Sequence, residues 1–211
     1  MNVGQLALRG TIGPLFIGHG AQKLFGWFDG HGLEGTAGFF EGALGLRPGK
    51  RHATAAGVSE LAGGVLLTAG ALTPLASAAV TGTMVTAIRK AHAKNGIWTT
   101  AGGYEYNLVL IAAATALADF GPGTPSVDGA RFPRLKGNAI ALASLAAGIA
   151  GSYLVTEVFS DKAPAPQEGQ ADVPADPASA PPADAGTGDR TAGGRFSPQT
   201  AGETADTPAT S

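Results

Sequence analysis

Cysteine is absent from all 211 residues. That removes disulfides, thiolate nucleophiles, cysteine-bound zinc and iron–sulfur clusters together, and leaves the redox compartment undetermined. Charge is scarce as well: Asp, Glu, Lys and Arg make up 14% of the chain, against about 25% in an average soluble protein. No phosphate-binding loop is present, no Gly-x-Gly-x-x-Gly turn joins a strand to a helix, and no Ser-His-Asp set assembles with any specificity. The four histidines show neither His-x-x-x-His nor Glu-x-x-His spacing, so nothing pins two metal ligands to one face, and no metal site is expected. Haem would need an axial histidine deep in the fold, whereas His31, His52 and His92 read as loop or interface residues.

What is abundant is apolar and small. The chain is 44% hydrophobic and holds 33 glycines, a composition that would weaken a soluble fold but suits helices packed closely inside a membrane. The net charge of −2 averages two unlike regions. From Ala163 to Ser211 there are seven acidic and two basic residues and eight of the 14 prolines; the remainder holds nine acidic and twelve basic residues. The acidic Pro/Ala-rich end, residues 161–211, has almost no apolar bulk and is expected to stay disordered. The slightly basic body shows no clustered basic and aromatic face, so nucleic acid is not expected as a partner.

The stretch Gln5–Trp27 organises the rest. It is apolar and long enough to cross a bilayer, which takes about 20 residues, yet it carries Arg9, His19 and Lys23. At about 100° per residue, Arg9 and Lys23 lie within roughly 40° of each other, with His19 about 40° further round. A spanning helix tolerates such a face where it looks into a bundle or a wet cavity. No Lys/Arg-rich start precedes it, and Arg9 and Pro14 would interrupt a leader's apolar core, so no cleaved leader is expected.

Further apolar segments follow at about 53–71, 74–92, 104–120 and 138–159. The Gly-rich stretch Asp29–His52 reads either as an amphipathic turn in the headgroup layer, with Phe39 and Phe40 dipping inward, or as an ordinary loop. Thr73-Pro74 looks like an N-cap followed by a first-turn proline, making segments two and three a hairpin. Gly121-Pro122-Gly123 stops the fourth segment. A soluble, Ala-rich helical protein needs fewer segments of spanning length than these five. In short loops, Arg47, Lys50, Arg51, Arg89, Lys90, Lys94 and Lys162 fall on one side, and Arg131, Arg134 and Lys136 on the other. This asymmetry places the N-terminus outside and the C-terminal tail in the cytoplasm of a multi-pass cell-membrane protein.

Four residues are candidates for chemistry. His19, flanked by glycines, and Lys23 one turn on read either as a proton-active or quinone-contacting pair, or as a packing polar residue beside a snorkelling lysine. Arg9, near the outer end of its helix, is also placed to snorkel. Glu60 lies in an apolar segment at a depth comparable with His19 and Lys23, and a buried carboxylate must find a cation or take up a proton. A contact from Glu60 to Lys23 or His19 is therefore expected. Glu105 reads either as another inward member of this set or as a carboxylate favoured in a first helical turn.

The ordered motifs Arg9…Gly18-His19-Gly20…Lys23, Gly35-Thr36-Ala37-Gly38-Phe39-Phe40, Glu60-Leu61-Ala62-Gly63-Gly64, Gly70-Ala71-Leu72-Thr73-Pro74, Ala91-His92, Gly102-Gly103-Tyr104-Glu105, Gly121-Pro122-Gly123 and Ser126-Val127-Asp128 resemble those of DoxX family membrane proteins. The resemblance runs over roughly residues 5–128. It implies an all-α, integral membrane four-helix bundle over residues 1–128, here followed by a loop and fifth transmembrane helix over 129–160 and the tail. Relatives are described as small subunits of terminal quinol oxidase and of thiosulfate:quinone oxidoreductase, and others are linked to oxidative-stress partners. The expectation is thus a subunit or adaptor of a membrane redox system, not an independent enzyme. Quinone would be the non-covalent cofactor, meeting His19, Lys23, Glu60 and Glu105, with redox-complex proteins or further copies of the chain as partners. A scaffold recruiting soluble partners and a small proton-linked transporter are the alternatives.

Overall fold

The computed structural model describes residues 2–161; the expectation for the acidic tail lies outside the described residues. Among those described, every regular element is helical. Helices α1 (Val3–Phe25), α3 (Gly49–Ala69), α4 (Thr73–Ala87), α5 (Glu105–Phe120) and α7 (Asn138–Tyr153) are the long ones, and α2 (Gly32–Gly42) and α6 (Val127–Arg131) lie in the connections. Short π-helical ends continue α4 to His92 and α7 to Val158.

Helix ends follow the chain's punctuation. Gly26 and Gly70 close α1 and α3 in the left-handed conformation, at φ 73° and 60°, where a Cβ would be strained. The start of α4 departs from the expected pattern. Its N-cap is Leu72, itself left-handed at φ 44°, and the Thr73 side chain makes no capping bond. The freed backbone donors go to a residue 55 positions away: Leu72 N–H donates to Asp128 Oδ1 at 2.9 Å and Thr73 N–H to Asp128 Oδ2 at 2.8 Å. A carboxylate at a helix N-terminus answers both the orphan N–H groups and the positive end of the helix dipole.

The seam between α1 and α3 is built from glycine. A Cβ on Gly13 would stand 2.9 Å from Gly64 O, one on Gly64 2.6 Å from Gly13 O, and one on Gly20 2.8 Å from Gly57 O. The two backbones therefore touch directly, as small residues permit. Around this seam Ile12, Phe16 and Leu67 join Ala76 and Val80 of α4 and Leu110, Ala114 and Leu117 of α5 in one buried cluster.

One expectation about the connections changes. The stretch after α1 forms helix α2, and only Phe40 turns inward, joining Ala37, Leu46 and Ala53; Phe39 is 54% exposed. On α2, Phe40 shares a face with Thr36 and Ala37, which α3 covers, whereas Phe39 lies a hundred degrees away. The last long helix is part of the bundle. It packs on α4, where a Cβ on Gly148 would meet Ala78 O at 2.6 Å, and it contacts α5 as well. Together with its π-helical end, Asn138–Val158 is the one helix among the described residues long and apolar enough by itself to cross a membrane. Helices α4 and α5 are 15 and 16 residues long, and α1 and α3 carry the ionisable residues that shape the site.

Candidate functional site

Side-chain contacts sort the bundle into two ends. At one end Gln5 Nε2 of α1 donates to Phe120 O at 3.0 Å, and Asp128 holds the start of α4. At the other, Lys23 near the C-terminus of α1 meets α3, and the C-terminal turns of α4 and α7 are tied together through Arg89 and Glu157.

At the second end Lys23 Nζ lies 2.6 Å from Glu60 Oε2. The antiparallel α1–α3 seam sets this up: Gly20, one turn before Lys23, sits against Leu61 N, so the two side chains meet across the closest approach of the helices. Glu60 is buried, with 7% of its side chain exposed, and Lys23 retains 24%. Oε2 accepts no directed hydrogen bond, so the contact is an ion pair whose ammonium stands off the hydrogen-bonding direction. A carboxylate held in this way keeps unused acceptor capacity, and its partner cation is open to an approaching group.

His19 does not join them. It is exposed, and its Nδ1 lies 3.1 Å from Gln22 Oε1 on the same helix; Gln22 in turn donates to Phe28 O at 3.2 Å. The reason is angular, since Lys23 rather than His19 is on the α3-facing side of α1. Glu105 is not brought to the pair either. It is the first residue of α5, half-buried, and its backbone N–H donates to Ile97 O at 2.8 Å, the arrangement of a first-turn carboxylate.

Arg9 does not snorkel. It is buried, and its guanidinium donates to three carbonyls: Nε to Pro122 O at 3.0 Å, Nη1 to Thr68 O at 2.5 Å, and Nη2 to Pro125 O. The planar fork of donors fits a nest of carbonyls on α3 and the 121–126 loop. His52 likewise leaves the loop class: it is buried in the first turns of α3. Its Nε2 lies 3.0 Å from Ser160 Oγ, while the Ser160 hydroxyl donates to Thr156 O at 2.7 Å. With the only hydroxyl proton committed to Thr156, Nε2 is the donor to Ser160.

Sequence reasoning missed Asp128 and the junction of α4 with α7. Arg89 donates to Ser152 Oγ at 3.2 Å, Thr156 Oγ1 at 3.0 Å and Glu157 Oε1 at 2.7 Å; its Cζ lies 3.5 Å over the Tyr153 ring. The buried Ser144, Ser152 and Thr156 stripe on one face of the last helix was the available signal. For Asp128 it was the Ser126-Val127-Asp128 motif, which carried resemblance but suggested no partner.

The DoxX family model matches residues 4–93, which takes in α1 to α4, both members of the ion pair and Arg9. Residues 4–93 are a DoxX domain, the unit of a membrane family. The match stops before α5, so Glu105, Asp128 and the last helix lie outside it. No curated protein and no solved structure matches the chain.

Proposed function

We propose that this DoxX-domain protein is a multi-pass subunit or adaptor of a membrane redox system, and that a quinone or quinol headgroup meets it at the Lys23–Glu60 pair. The observation that carries the reading is a buried carboxylate opposed at 2.6 Å by a single, part-exposed ammonium. A quinone carbonyl accepts a hydrogen bond from an ammonium, and a quinol hydroxyl donates one to a carboxylate, so the two side chains suit both redox forms of one headgroup. His19 borders the same end of α1 and Glu105 stands apart, so the binding role rests on Lys23 and Glu60. The end that holds the pair also carries Arg47, Lys50, Arg51, Arg89, Lys90 and Lys94, the distribution of a cytoplasmic face with the N-terminus outside. Electron carriers would be supplied by the partner or by the quinone itself.

The test is quinone content after purification in mild detergent from quinone-containing membranes. Wild-type protein should retain quinone, and Glu60→Gln and Lys23→Met should each lose most of it while remaining folded. Wild-type protein that carries none, or variants that carry as much, would overturn the assignment.

A further inference from the structure

Helix α3 carries a second polar feature that the redox reading does not use. A groove of about 720 Å³ runs along it, lined by Pro48, Lys50, Arg51, Thr54, Ala55, Val58 and Ser59. Six of the seven residues recur as adjacent pairs every four positions, forming one stripe that leads from the helix N-terminus into the bundle's flank. From Lys50 to Ser59 the stripe is about 13 Å long at 1.5 Å per residue. Its composition is graded. The two cations stand at the end of the bundle, Thr54 and Ala55 lie one turn deeper, and half-exposed Val58 lies two turns deeper beside Ser59.

The cations are weakly engaged. Lys50 pairs with Glu34 at 2.5 Å and Arg51 with Asp161 at 3.9 Å, but all four side chains are more than 60% exposed, where such pairs contribute about 0–1 kcal/mol and are readily exchanged. Gly49 N–H is already taken by Glu41 Oε2 at 3.0 Å, so the helix terminus itself offers no free donor there. The attraction comes from the two side chains.

The geometry points to a binding groove for an anionic phospholipid, its phosphate between Lys50 and Arg51 and an acyl chain along Ala55 and Val58. The groove lies within a domain of a membrane family, and a stripe that changes from cationic to apolar over one lipid's headgroup-to-chain distance matches that ligand and no soluble anion. A free phosphate would gain nothing from the apolar floor. Basic residues near an anionic membrane surface are each worth about 1 kcal/mol, so removing both lowers the preference for anionic over zwitterionic lipid by about thirtyfold.

The experiment places full-length protein in nanodiscs of phosphatidylcholine with added phosphatidylglycerol, then ejects it and reads the retained lipids by native mass spectrometry. Wild type should keep phosphatidylglycerol in excess over its share of the disc. Lys50→Gln with Arg51→Gln should abolish that excess, and Val58→Trp, which fills the floor without altering charge, should do the same. Lys94→Gln, a cation of the same end outside the groove, should leave it intact. Equal loss from Lys94→Gln, or an excess that survives Val58→Trp, overturns the groove in favour of diffuse surface charge. Inorganic phosphate competing the lipid away would overturn the apolar half of the assignment. Thermal midpoints in phosphatidylcholine discs confirm that each variant is folded.

Discussion

Replacing Gly64 with alanine tests the α1–α3 seam most directly. The added methyl would sit 2.6 Å from both Gly13 O and Ile17 N, and 3.0 Å from Ile17 Cγ1. Ordinary contact begins near 3.4 Å, so α1 must retreat by about 0.8 Å, and both close neighbours are backbone atoms that cannot rotate aside. Overpacking of this kind costs about 1–3 kcal/mol. The control is built into the same helix pair. A methyl added at Gly10 or Gly18, on the outer side of α1, would meet nothing within 4 Å, and there Gly→Ala should be neutral or stabilising by up to about 1 kcal/mol. Reversible unfolding in mixed micelles, followed by helical circular dichroism, should therefore separate Gly64→Ala from Gly18→Ala by roughly 1–4 kcal/mol. Gly20→Ala adds a functional readout, since its methyl would press on Leu61 N at 2.5 Å one turn from Lys23. It should reduce quinone retention although no ionisable group has changed. If Gly64→Ala unfolds no more easily than Gly18→Ala, the direct backbone contact is wrong, and so is the explanation of how Lys23 reaches Glu60.

Asp128→Ala should destabilise the bundle by about 1–3 kcal/mol, because two N–H groups at the start of α4 lose their acceptor; a denaturant midpoint measures it, and Asp128→Asn should recover part of the loss. Arg9→Lys keeps the charge but cannot reach three carbonyls at once, so it should behave like Arg9→Met in the same assay, with losses of about 1–3 kcal/mol. Arg89→Gln should free the C-terminal turns of α7, seen as faster proteolysis near Glu157 with the α1–α3 seam unchanged; equal protection would mean that the α4–α7 packing alone holds them.

The helices were legible because their signals are local. Glycines and prolines mark their ends, and long apolar runs mark their interiors. The Lys23–Glu60 contact was legible for the related reason that an antiparallel hairpin-like pair brings equal depths together. What escaped was set by rotation and by distance along the chain. His19 and Lys23 differ by four residues, and a step of about 40° decides which meets α3; apolar and glycine-rich surroundings on both sides of α1 gave no sign of which face that would be. Thr73 carries a good capping side chain, yet Asp128, 55 residues on, displaces it, and no local pattern announces such a partner. Phe39 and Phe40 read alike in sequence, and only the position of α3 against α2 distinguishes them.

The ionisable residues of the bundle are held in two different ways, and the difference argues for where chemistry belongs. Arg9 and Asp128 are bound by backbone groups: three carbonyls for one and two N–H groups for the other. Exchanging those partners means moving the chain itself, since the same bonds define the end of α3, the 121–126 loop and the start of α4. Such groups fix a fold. Glu60 is instead opposed by one flexible, part-exposed lysine side chain, with an oxygen that accepts no directed bond. Lysine can swing away at the cost of a few rotamers while both helices stay in place, because the glycine seam rather than the ion pair holds α1 to α3. Glu60 is thus a buried carboxylate whose counter-charge can leave without unfolding anything, and among the buried carboxylates of the described residues it, rather than Asp128, is able to trade a partner within the protein for one from outside it.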